Sequence, residues 1–379
     1  MADRESEVLA RLAPGVASVD ADAWNRLSGG GDPFLSHAFL SALEDSGSVG
    51  LSTGWSPAPI LIEEEGALLA AAPAYLKGHS QGEYVFDHGW AEAWQNAGGQ
   101  YYPKLQIAVP FTPVPGPRLL GHRPQQLLAA AEAVVVQNGL SSAHVTFVDE
   151  AGGLECERRG WLIRLGIQYH WFNRGYTSFD DFLARLSSRK RKAIRKEREA
   201  AQDGLEIRAL RGGEIGPAEW DAMWDFYQDT GSRKWGQPYL TREFFDLIGE
   251  RMGDRLLLFL ALREGRPIAG ALNVVGEDTL YGRYWGCVEE VRFLHFELSY
   301  YRAVEWACQH GLKTVQAGAQ GEHKIARGYE PVVTRSGHFI PNKSFREAIA
   351  DFLETERAAI LNEVEWLRQD LPYRSSSSP

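Results

Sequence analysis

The sequence predicts an α+β protein made of two copies of one layered unit, in which helices flank a mixed sheet of parallel and antiparallel strands. The main observation is an internal repeat, because three short blocks occur twice along the 379-residue chain and keep their order. The second observation is that both copies predict the same succession of elements: helix, antiparallel hairpin, strand, helix, strand. Length alone also favours about two domains.

The repeated blocks are short, and their common order is what makes them informative. They pair Pro33–Ser36 (PFLS) with Pro238–Thr241 (PYLT), Glu65–Gly66 with Glu264–Gly265, and Gln137–Leu140 (QNGL) with Gln309–Leu312 (QHGL). An alanine-rich stretch follows each Glu-Gly pair a few residues later. Three matches in one order indicate a duplicated domain.

Within each copy, capping residues and hydrophobic spacing define the elements. Ser36 and Thr241 can accept hydrogen bonds from the first N–H groups of helices over His37–Ser46 and Arg242–Met252. Gly139 and Gly311 end the longer helices, since glycine readily adopts the left-handed conformation. The remaining elements predicted in the first half are strands Pro59–Glu63, Ala67–Leu76, Tyr84–Asp87 and His144–Val148 and helix Gln125–Asn138. Those in the second half are strands Leu256–Leu262, Ile268–Val275, Thr279–Cys287 and Lys313–Ala319 and helix Glu297–His310.

The repeat leads to a prediction of the domain boundaries. We expect a first domain over residues 1–155, a second over 156–345 that contains a basic helix at 180–200, and a C-terminal helix with a disordered tail at 346–379, with the linker near Glu150–Tyr169. The first domain carries an insertion at 89–123 that is rich in aromatic residues, glycine and proline. Such an insertion either covers a domain junction or builds a binding site.

Composition excludes several classes of protein. No stretch approaches the roughly 20 apolar residues that span a bilayer, and the N-terminus is charged, so we expect neither a membrane span nor a signal peptide. Three cysteines without metal-ligand spacing predict a cytoplasmic protein with neither disulfides nor a metal site. The net charge of −10 disfavours general nucleic-acid binding. The oligomeric state is left open.

The chain resembles the Fem-type aminoacyl transferases, which contain two GNAT acyltransferase folds in tandem. The resemblance rests on Tyr84–Asp87, Tyr101–Lys104, Phe111–Pro113, Ser188–Lys192 and, above all, Ala317–Lys324 (AGAQGEHK). Together these segments resemble the bacterial predicted N-acyltransferases described as peptidoglycan biosynthesis/recognition proteins, from about Trp24 to Phe345. The resemblance implies two tandem GNAT-like domains and transfer of an acyl or aminoacyl group to an amine, for example on a cell-wall precursor. The alternative is a non-catalytic module that recognises a phosphorylated ligand.

A cluster of positive charge stands out against the acidic background. Seven of the ten residues from Arg189 to Arg198 are basic, and like charges at helical spacing repel. Phosphate groups are the simplest partners, on coenzyme A, on a nucleotide-sugar or lipid precursor, or on a tRNA. The alternatives are a solvated face, paired in part with Glu197 and Glu199, or a membrane surface. The predicted phosphate- or donor-binding residues here are Arg189, Lys190, Lys192, Arg195 and Lys196.

The candidate chemical centre lies in the second half. Acyl transfer to an amine needs a base, donors for the oxyanion and an acid for the leaving group. Glu322, His323 and Lys324 follow the last predicted strand, and His295 and Glu297 start the helix before it, so the two groups can meet. We expect Glu322 to be the base and His323 or Lys324 to orient the substrate. The structural alternatives are that Glu297 favours its helix N-terminus and that His323 completes a local hydrogen bond.

The substrate-binding predictions come from aromatic-polar segments. Trp171 and Asn173 open the second domain, and Trp235 lies in a glycine-flanked break in a helical region. Exposed aromatic residues often line clefts, although a core position is the commoner fate of a tryptophan. The segments that carry the resemblance add Tyr102, Lys104 and Gln320.

The donor cannot be assigned from a phosphate loop. The region Val288–Phe296 contains no glycine, which argues against the pyrophosphate-binding loop of acetyl-CoA enzymes. A partial match precedes the long helix of the first half and contains Arg118 and Gly121, which are predicted to contact donor phosphates. The resemblance implies an acyl-CoA or an aminoacyl-tRNA as donor, no tightly bound cofactor, and tRNA and a small phosphorylated substrate as possible partners.

Overall fold

The computed structural model describes residues 8–234, 238–318 and 321–374. The chain forms two compact units, each assembled from separate stretches of sequence. Unit 1 takes the residues up to Gly166 and Val333–Leu361, and unit 2 takes Ile167–Val332 and the residues from Asn362 onward. Within the described ranges, no helix is both long enough and apolar enough to cross a bilayer.

Unit 1 combines two sheets with helices. Its first sheet has the strand order β1-β3-β4-β7, and in its second sheet β2, β5, β6 and β8 are neighbours. Strands β6 and β8 are parallel, and the other pairs in these sheets are antiparallel. The helices are α1 (Ala21–Ser28), α2 (His37–Asp45), α3 (His88–Asn96), α4 (Pro124–Asn138) and α5 (Glu150–Arg158). The strands are β1 (Val8–Leu12), β2 (Trp55–Pro57), β3 (Ile60–Glu64), β4 (Ala67–Ala72), β5 (Ala74–Lys77), β6 (Lys104–Ile107), β7 (Leu120–Gly121) and β8 (Ala143–Val148).

Unit 2 contains one sheet with the order β10-β11-β12-β13-β14-β9, antiparallel except for the parallel pair β13 and β14. Its helices are α6 (Phe179–Arg185), α7 (Ser188–Gln202), α8 (Pro217–Lys234), α9 (Arg242–Met252), α10 (Leu294–Phe296), a π-helical turn (Glu297–Tyr301) and α11 (Arg302–Gln309). Its strands are β10 (Glu206–Arg211), β11 (Leu256–Arg263), β12 (Arg266–Val275), β13 (Thr279–Cys287) and β14 (Thr314–Gln316). Three elements run through both units: β9 (Leu162–Phe172), β15 (Glu330–Phe339) and α12 (Lys343–Gln369).

The unit boundaries differ from those expected. The predicted boundary at residues 155/156 is replaced by one between Gly166 and Ile167, and the linker expected near Glu150–Tyr169 is helix α5 followed by β9. Residues 333–345 and the first part of α12 belong to unit 1. The physical reason is that the chain passes between the units inside continuous elements, strands β9 and β15 and helix α12, so no loop marks the change.

The repeated blocks perform the same local tasks in both units. Glu65 and Gly66 have φ values of 51° and 80°, and Glu264 and Gly265 have 51° and 77°. Consecutive left-handed residues form the hairpin turn whose twist matches that of the strands. The hydroxyls of Ser36 and Thr241 each accept a hydrogen bond from a phenylalanine N–H at 3.2 Å. These identical geometries support a duplication.

Two expectations about local structure are wrong. The strand predicted over Ala67–Leu76 is divided into β4 and β5 at Pro73, which has no N–H group to donate to a ladder. The segment Tyr84–Asp87 is not a strand, because Tyr84 has φ 59° and Asp87 is the residue before helix α3.

The single basic helix expected over residues 180–200 is two helices. Helix α6 begins with a capping box in which the Ser178 hydroxyl accepts from the Asp181 N–H, and it ends where Leu186 adopts an extended conformation. Leu186 is fully buried in the core of unit 2, so tertiary packing breaks the helix at this point. The basic residues therefore lie in α7.

Candidate functional site

The candidate site forms where two parallel strands of unit 2 separate. Strands β13 and β14 are paired over Thr279–Tyr281 and Thr314–Gln316. Strand β13 then continues along β12 to Cys287, whereas the chain turns out of the sheet after Gln316. The register between β12 and β13 shifts beside this point, which indicates a β-bulge. Bulges often occur next to active sites because they redirect side chains.

The chain that leaves the sheet forms a short helical turn over Glu322–Arg327. Gly321 and Gly328, on either side of this turn, have φ values of 116° and 86°. A Cβ on Gly321 would lie 2.5 Å from the His323 ring, so glycine is required both by the backbone conformation and by the position of the ring.

His323 lies in a group of aromatic and imidazole side chains. Its Nε2 is 2.9 Å from the Tyr300 hydroxyl oxygen, which is a hydrogen-bonding distance. The His295 ring is 5.3 Å from the Tyr300 ring and 6.4 Å from the His323 ring, between centroids. The structure therefore brings together His295 and His323, as the sequence predicted, and adds Tyr300.

A pocket of about 570 Å³ adjoins this group. Trp285 and Cys287 from the end of β13, the loop residues 289–293, and His295 and Phe296 are among its lining residues. Its volume falls in the range of pockets that hold small ligands. Because His295 lines the pocket and also contacts the Tyr300 ring, a ligand in the pocket would lie beside the Tyr300–His323 pair.

Lys324, the residue after His323, is buried. Its side chain donates a hydrogen bond of 2.8 Å from Nζ to the Gly318 carbonyl, and the residue is 1% exposed. Burial lowers the pKa of the Lys324 ammonium to about 7. Burial, and then the charge of Lys324, lower the pKa of His170 to about 4. Lys324 thus anchors the loop before the helical turn and can change its charge near neutral pH.

This burial has a consequence for stability. In the folded state Lys324 loses its proton near pH 7, but in the unfolded chain it does so near pH 10.4. Between these values the unfolded state binds more protons, so the free energy of unfolding should rise with pH, and below pH 7 the two states are equally protonated. The rise should be smaller in a Lys324→Met variant than in the wild type, as measured by urea unfolding at pH 7–10. Lys313→Met, at a position 76% exposed, is the control. A pH-independent difference between wild type and Lys324→Met would contradict the burial of this charge.

Glu297 does not take part in the group around His323. Its carboxylate is fully buried and accepts hydrogen bonds from Arg198 at 2.9 and 3.0 Å and from Gln202 at 3.0 Å, and it lies 2.8 Å from Arg302. The expected role of Glu297 in proton transfer is therefore corrected. A carboxylate held by two guanidinium groups and closed to solvent serves to join α7 to the π-helical turn.

A second ion pair holds the helical turn itself. Arg327 donates from Nη1 to the His323 carbonyl at 2.8 Å and from Nη2 to Glu197 at 2.9 Å, and its guanidinium lies 3.5 Å from the Phe296 ring centroid. The Tyr301 hydroxyl also donates to Glu197. Tyr300 and Arg327 were not among the predicted site residues. The sequence feature that could have pointed to Arg327 is its position three residues after Lys324, in the same helical turn.

The predicted phosphate-binding cations of α7 remain accessible. Arg189, Lys192, Arg195 and Lys196 are exposed, and Lys190 is half-buried. Arg195 forms an exposed ion pair with Asp180 at 2.9 Å. Positions 189, 192 and 196 follow helical spacing, so they form one outward stripe, whereas Glu197 and Arg198 face the body of unit 2.

Arg118 and Gly121 are not phosphate ligands in this structure. Arg118 is 1% exposed and donates to the backbone carbonyls of Thr146 and Val114. Gly121 lies in β7 against β4, where a Cβ would be 2.3 Å from the Leu69 carbonyl oxygen. The expected phosphate loop is therefore a structural strand with a buried arginine beneath it.

Trp171 and Asn173 also have structural roles. Trp171 is fully buried and packs against Tyr176 and Phe182. The Asn173 side chain donates to the carbonyls of Tyr176 and Leu312 and accepts from the Tyr176 N–H, which closes a turn. Trp235 and Gln320 lie outside the described residues. Tyr102 and Lys104 lie in unit 1, in a buried polar cluster described below.

No group of three or more His, Cys, Asp or Glu side chains that could hold a metal ion occurs in residues 8–234, 238–318 and 321–374. Cys156, Cys287 and Cys308 form no disulfide in the described part of the chain. The side chains that meet in the candidate site are the imidazoles of His295 and His323 and the phenol of Tyr300.

The chain contains two α+β units, and in one of them a polar turn follows the point where two parallel strands separate. This is the tandem GNAT fold of Fem-type proteins, as expected from the sequence. The chain belongs to the FemAB-like family, described as peptidoglycan biosynthesis/recognition, whose model matches residues 15–375.

Two solved structures with TM-scores above 0.5 agree with this fold at low sequence identity. FemX is 12% identical over 87% of this chain and 97% of its own, with a TM-score of 0.52. A conserved protein of unknown function from Bacteroides thetaiotaomicron is 8% identical over 87% of this chain and 99% of its own, also with a TM-score of 0.52. A tandem GNAT protein from the clavulanic acid biosynthesis pathway is 12% identical over 89% and 99%, with a TM-score of 0.47. A comparison with curated protein sequences gives no match.

Proposed function

We propose that the protein is an N-acyltransferase that moves an acyl or aminoacyl group onto an amine, with its chemistry at the Tyr300–His323 pair. The observation that carries this proposal is the 2.9 Å contact between these side chains, near a ligand-sized pocket that is lined by the end of β13, His295 and Phe296. Membership of a family of peptidoglycan biosynthesis/recognition proteins supports an amine of a cell-wall precursor as the acceptor.

The reaction requires one proton to leave the nucleophile and one to reach the leaving group. The amine nitrogen attacks the donor carbonyl carbon, a C–N bond forms, and the C–S bond of a thioester or the C–O bond of an ester breaks. The His323 ring can accept the proton of the amine, and the Tyr300 hydroxyl can give a proton to the thiolate or alkoxide. Burial raises the pKa of Tyr300, which keeps its hydroxyl protonated for this role.

Glu322 is less suited to be the base than the sequence suggested. Glu322 and His323 are both exposed, but the hydrogen bond to the Tyr300 hydroxyl is made by His323. The pKa of Tyr169 is raised mainly by burial and secondly by the charge of the Glu322 carboxylate, which indicates that Glu322 is near Tyr169. We therefore propose His323 as the proton acceptor and Lys324 as the anchor of the loop.

The donor in this proposal carries phosphate, as acyl-CoA and aminoacyl-tRNA both do, and the protein acts in the cytoplasm, where both occur. The outward cations of α7 support phosphate binding because few carboxylates neutralise them. The inner face of α7 holds the helical turn through Glu197 and the π-helical turn through Arg198. Phosphate contacts and the reacting groups thus depend on one helix.

Charge reversal on this helix should weaken binding of the phosphorylated donor. A Lys192→Glu, Arg195→Glu double variant should bind an acyl-CoA or an aminoacyl-tRNA at least tenfold more weakly at low salt, with a reduced dependence on salt, because fewer counterions are released. The control is Arg26→Glu with Lys343→Glu, which changes the net charge equally at exposed positions of unit 1. Equal affinity of both double variants for both ligands would show that the cations form a solvated face.

A second candidate function is recognition of a phosphorylated ligand without turnover. The observation that favours it is the loop at Val288–Phe296, which has no glycine and in which Phe293 has φ 66°. Ligand binding by the wild type, together with no turnover of an acyl-CoA or an aminoacyl-tRNA and a range of amines, would select this function.

A further inference from the structure

One face of the second sheet of unit 1 is polar, although it is buried. Cross-strand pairing places Lys77 opposite Lys104, Gln106 opposite His144, and His144 opposite His338. Each of these five residues is at most 2% exposed. Buried sheet faces are normally apolar, and like charges directly opposite each other are unfavourable. This arrangement therefore costs stability, which indicates a function other than holding the fold.

Lys104 is at the centre of this face and is fully engaged. Its Nζ donates to Ser80 Oγ at 2.9 Å, to Glu83 Oε2 at 2.9 Å and to Asp87 Oδ2 at 2.5 Å. The Tyr101 hydroxyl also donates to Asp87 Oδ2, at 2.7 Å. Because an ammonium has three hydrogens to donate, Lys104 cannot hold an additional anion.

The two carboxylates keep one oxygen each without a partner. Glu83 and Asp87 are 4% and 3% exposed, and Glu83 Oε1 and Asp87 Oδ1 have no hydrogen-bond partner among the described residues. Buried charged acceptors without a donor are costly and uncommon in native proteins. The other oxygen of each carboxylate accepts a hydrogen bond from the same Lys104 ammonium. A ligand that binds to Glu83 Oε1 and Asp87 Oδ1 must therefore supply hydrogen-bond donors.

The segment that carries these carboxylates is conformationally strained. Tyr84, directly after Glu83, has φ 59°. Phe111, whose N–H donates to the Gly82 carbonyl, has φ 56°. Gly82 has φ 78°, and a Cβ there would lie 2.7 Å from the Phe111 ring. Aromatic residues in the left-handed region are rare, and such strain tends to occur at binding and catalytic sites.

We propose that Glu83 and Asp87 form a binding site in unit 1 for the protonated primary amine of a ligand. The ammonium would donate to Glu83 Oε1 and Asp87 Oδ1. The rings of Tyr101 and Tyr102 lie 5.6 and 5.9 Å from the Lys104 Nζ, so the surroundings already favour positive charge through cation–π attraction. Tyr102 is half-buried, and its hydroxyl is 2.8 Å from Ser80 Oγ, which links the buried groups to the surface.

The binding site itself is inferred from the contacts of unit 1. Only the idea that it binds the amine-bearing acceptor depends on the proposed function. A ligand amine held between carboxylates stays protonated, so the site recognises the acceptor through an amine other than the one that is acylated. The substrate class is therefore a compound with at least two amino groups or, for simple recognition, any primary ammonium ion.

Binding should strengthen as the pH rises from 6 to 8. Burial raises the pKa of Glu83 to about 7, against the opposing charges of Lys104 and Lys77, and burial lowers the pKa of Lys77 to about 7. Deprotonation of either group makes the site more negative. The other groups that face the carboxylates do not reverse this trend. Lys104 and His144 hold the pKa of Asp87 below its usual value despite burial, burial lowers the pKa of His144 to about 3, and burial lowers the pKa values of His79 and His338.

The test uses n-butylamine as the probe, with 1-butanol and butyrate as its neutral and anionic counterparts, on the full chain. We expect n-butylamine alone to bind, about tenfold or more weakly in Glu83→Gln. The matched control is Glu92→Gln, at an exposed glutamate of α3, which should bind as the wild type does. Equal affinity in Glu83→Gln and the wild type, or equal binding of 1-butanol, would overturn the proposal.

A second measurement avoids dependence on the fold of the Glu83→Gln variant. Wild-type crystals soaked with 3-bromopropylamine should show anomalous bromine density beside Glu83 and Asp87, and density elsewhere or ordered water only would overturn the site. The readout is independent of acyl transfer. Amine binding without any turnover would support this site and contradict the proposed function. Turnover without amine binding in unit 1 would support the proposed function and contradict this site.

Discussion

Replacing His323 with glutamine should reduce turnover by roughly 10²–10⁴-fold, the usual contribution of a general base. Glutamine can still contact the Tyr300 hydroxyl but cannot accept the proton of the amine, so donor binding should be retained. Turnover should be measured with whichever acyl-CoA or aminoacyl-tRNA the protein uses, as release of free thiol or of deacylated tRNA. Tyr300→Phe should also slow turnover, because the leaving group loses its proton donor.

The matched control is Glu322→Gln, at the neighbouring exposed residue. If His323 is the base, this variant should keep most of its activity. Loss of turnover in Glu322→Gln with full activity in His323→Gln would return the role of base to Glu322, as the sequence suggested. Full activity in both variants would place the chemistry outside the Glu322–Arg327 turn.

Replacing Glu297 with alanine should destabilise the protein by about 3 kcal/mol while leaving turnover nearly unchanged below the unfolding temperature. Removing one partner of a buried ion pair leaves uncompensated charge, which costs about 3–5 kcal/mol. Here Glu305 still contacts both Arg198 and Arg302, at 3.0 and 3.1 Å, so the lower end of that range is expected. For a unit of this size the thermal midpoint should fall by roughly 6–12 °C.

The control for this prediction is Glu305→Ala, which removes a partly exposed member of the same network and should have a smaller effect. Thermal unfolding and kcat are measured on the same preparations. A hundredfold loss of kcat in Glu297→Ala without a change in the thermal midpoint would contradict the structural role and restore Glu297 as a candidate for proton transfer.

Local structure could be predicted from the sequence because its causes lie within a few residues. The capping of α2 and α9 by Ser36 and Thr241 and the two Glu-Gly turns depend on side chains and dihedral preferences inside one turn of chain. The same holds for the ends of α4 and α11 at glycine. These features also revealed the repeat, and with it the two units, whereas the Fem-type fold was implied by the resemblance of segments such as Ala317–Lys324 to a known family.

Burial could not be predicted in the same way, because distant segments decide it. Arg118 and Trp171 look like ligand-binding residues in isolation, and both are covered by strands and helices far away in the sequence. The unit boundary was missed for a related reason, since β9 and β15 continue through it without a change in composition.

The sequence by itself determined that a polar triplet, Glu322 to Lys324, follows the last strand of the repeat, and that His295 starts the helix before it. Only the tertiary structure decided their partners. The π-helical turn directs Tyr300 to His323 and Glu297 to Arg198, and such a turn has no reliable sequence signal. In unit 1, Glu83 and Asp87 meet Lys104 because the sheet brings together segments about 20 residues apart, and burial then changes the proton affinity of the glutamate.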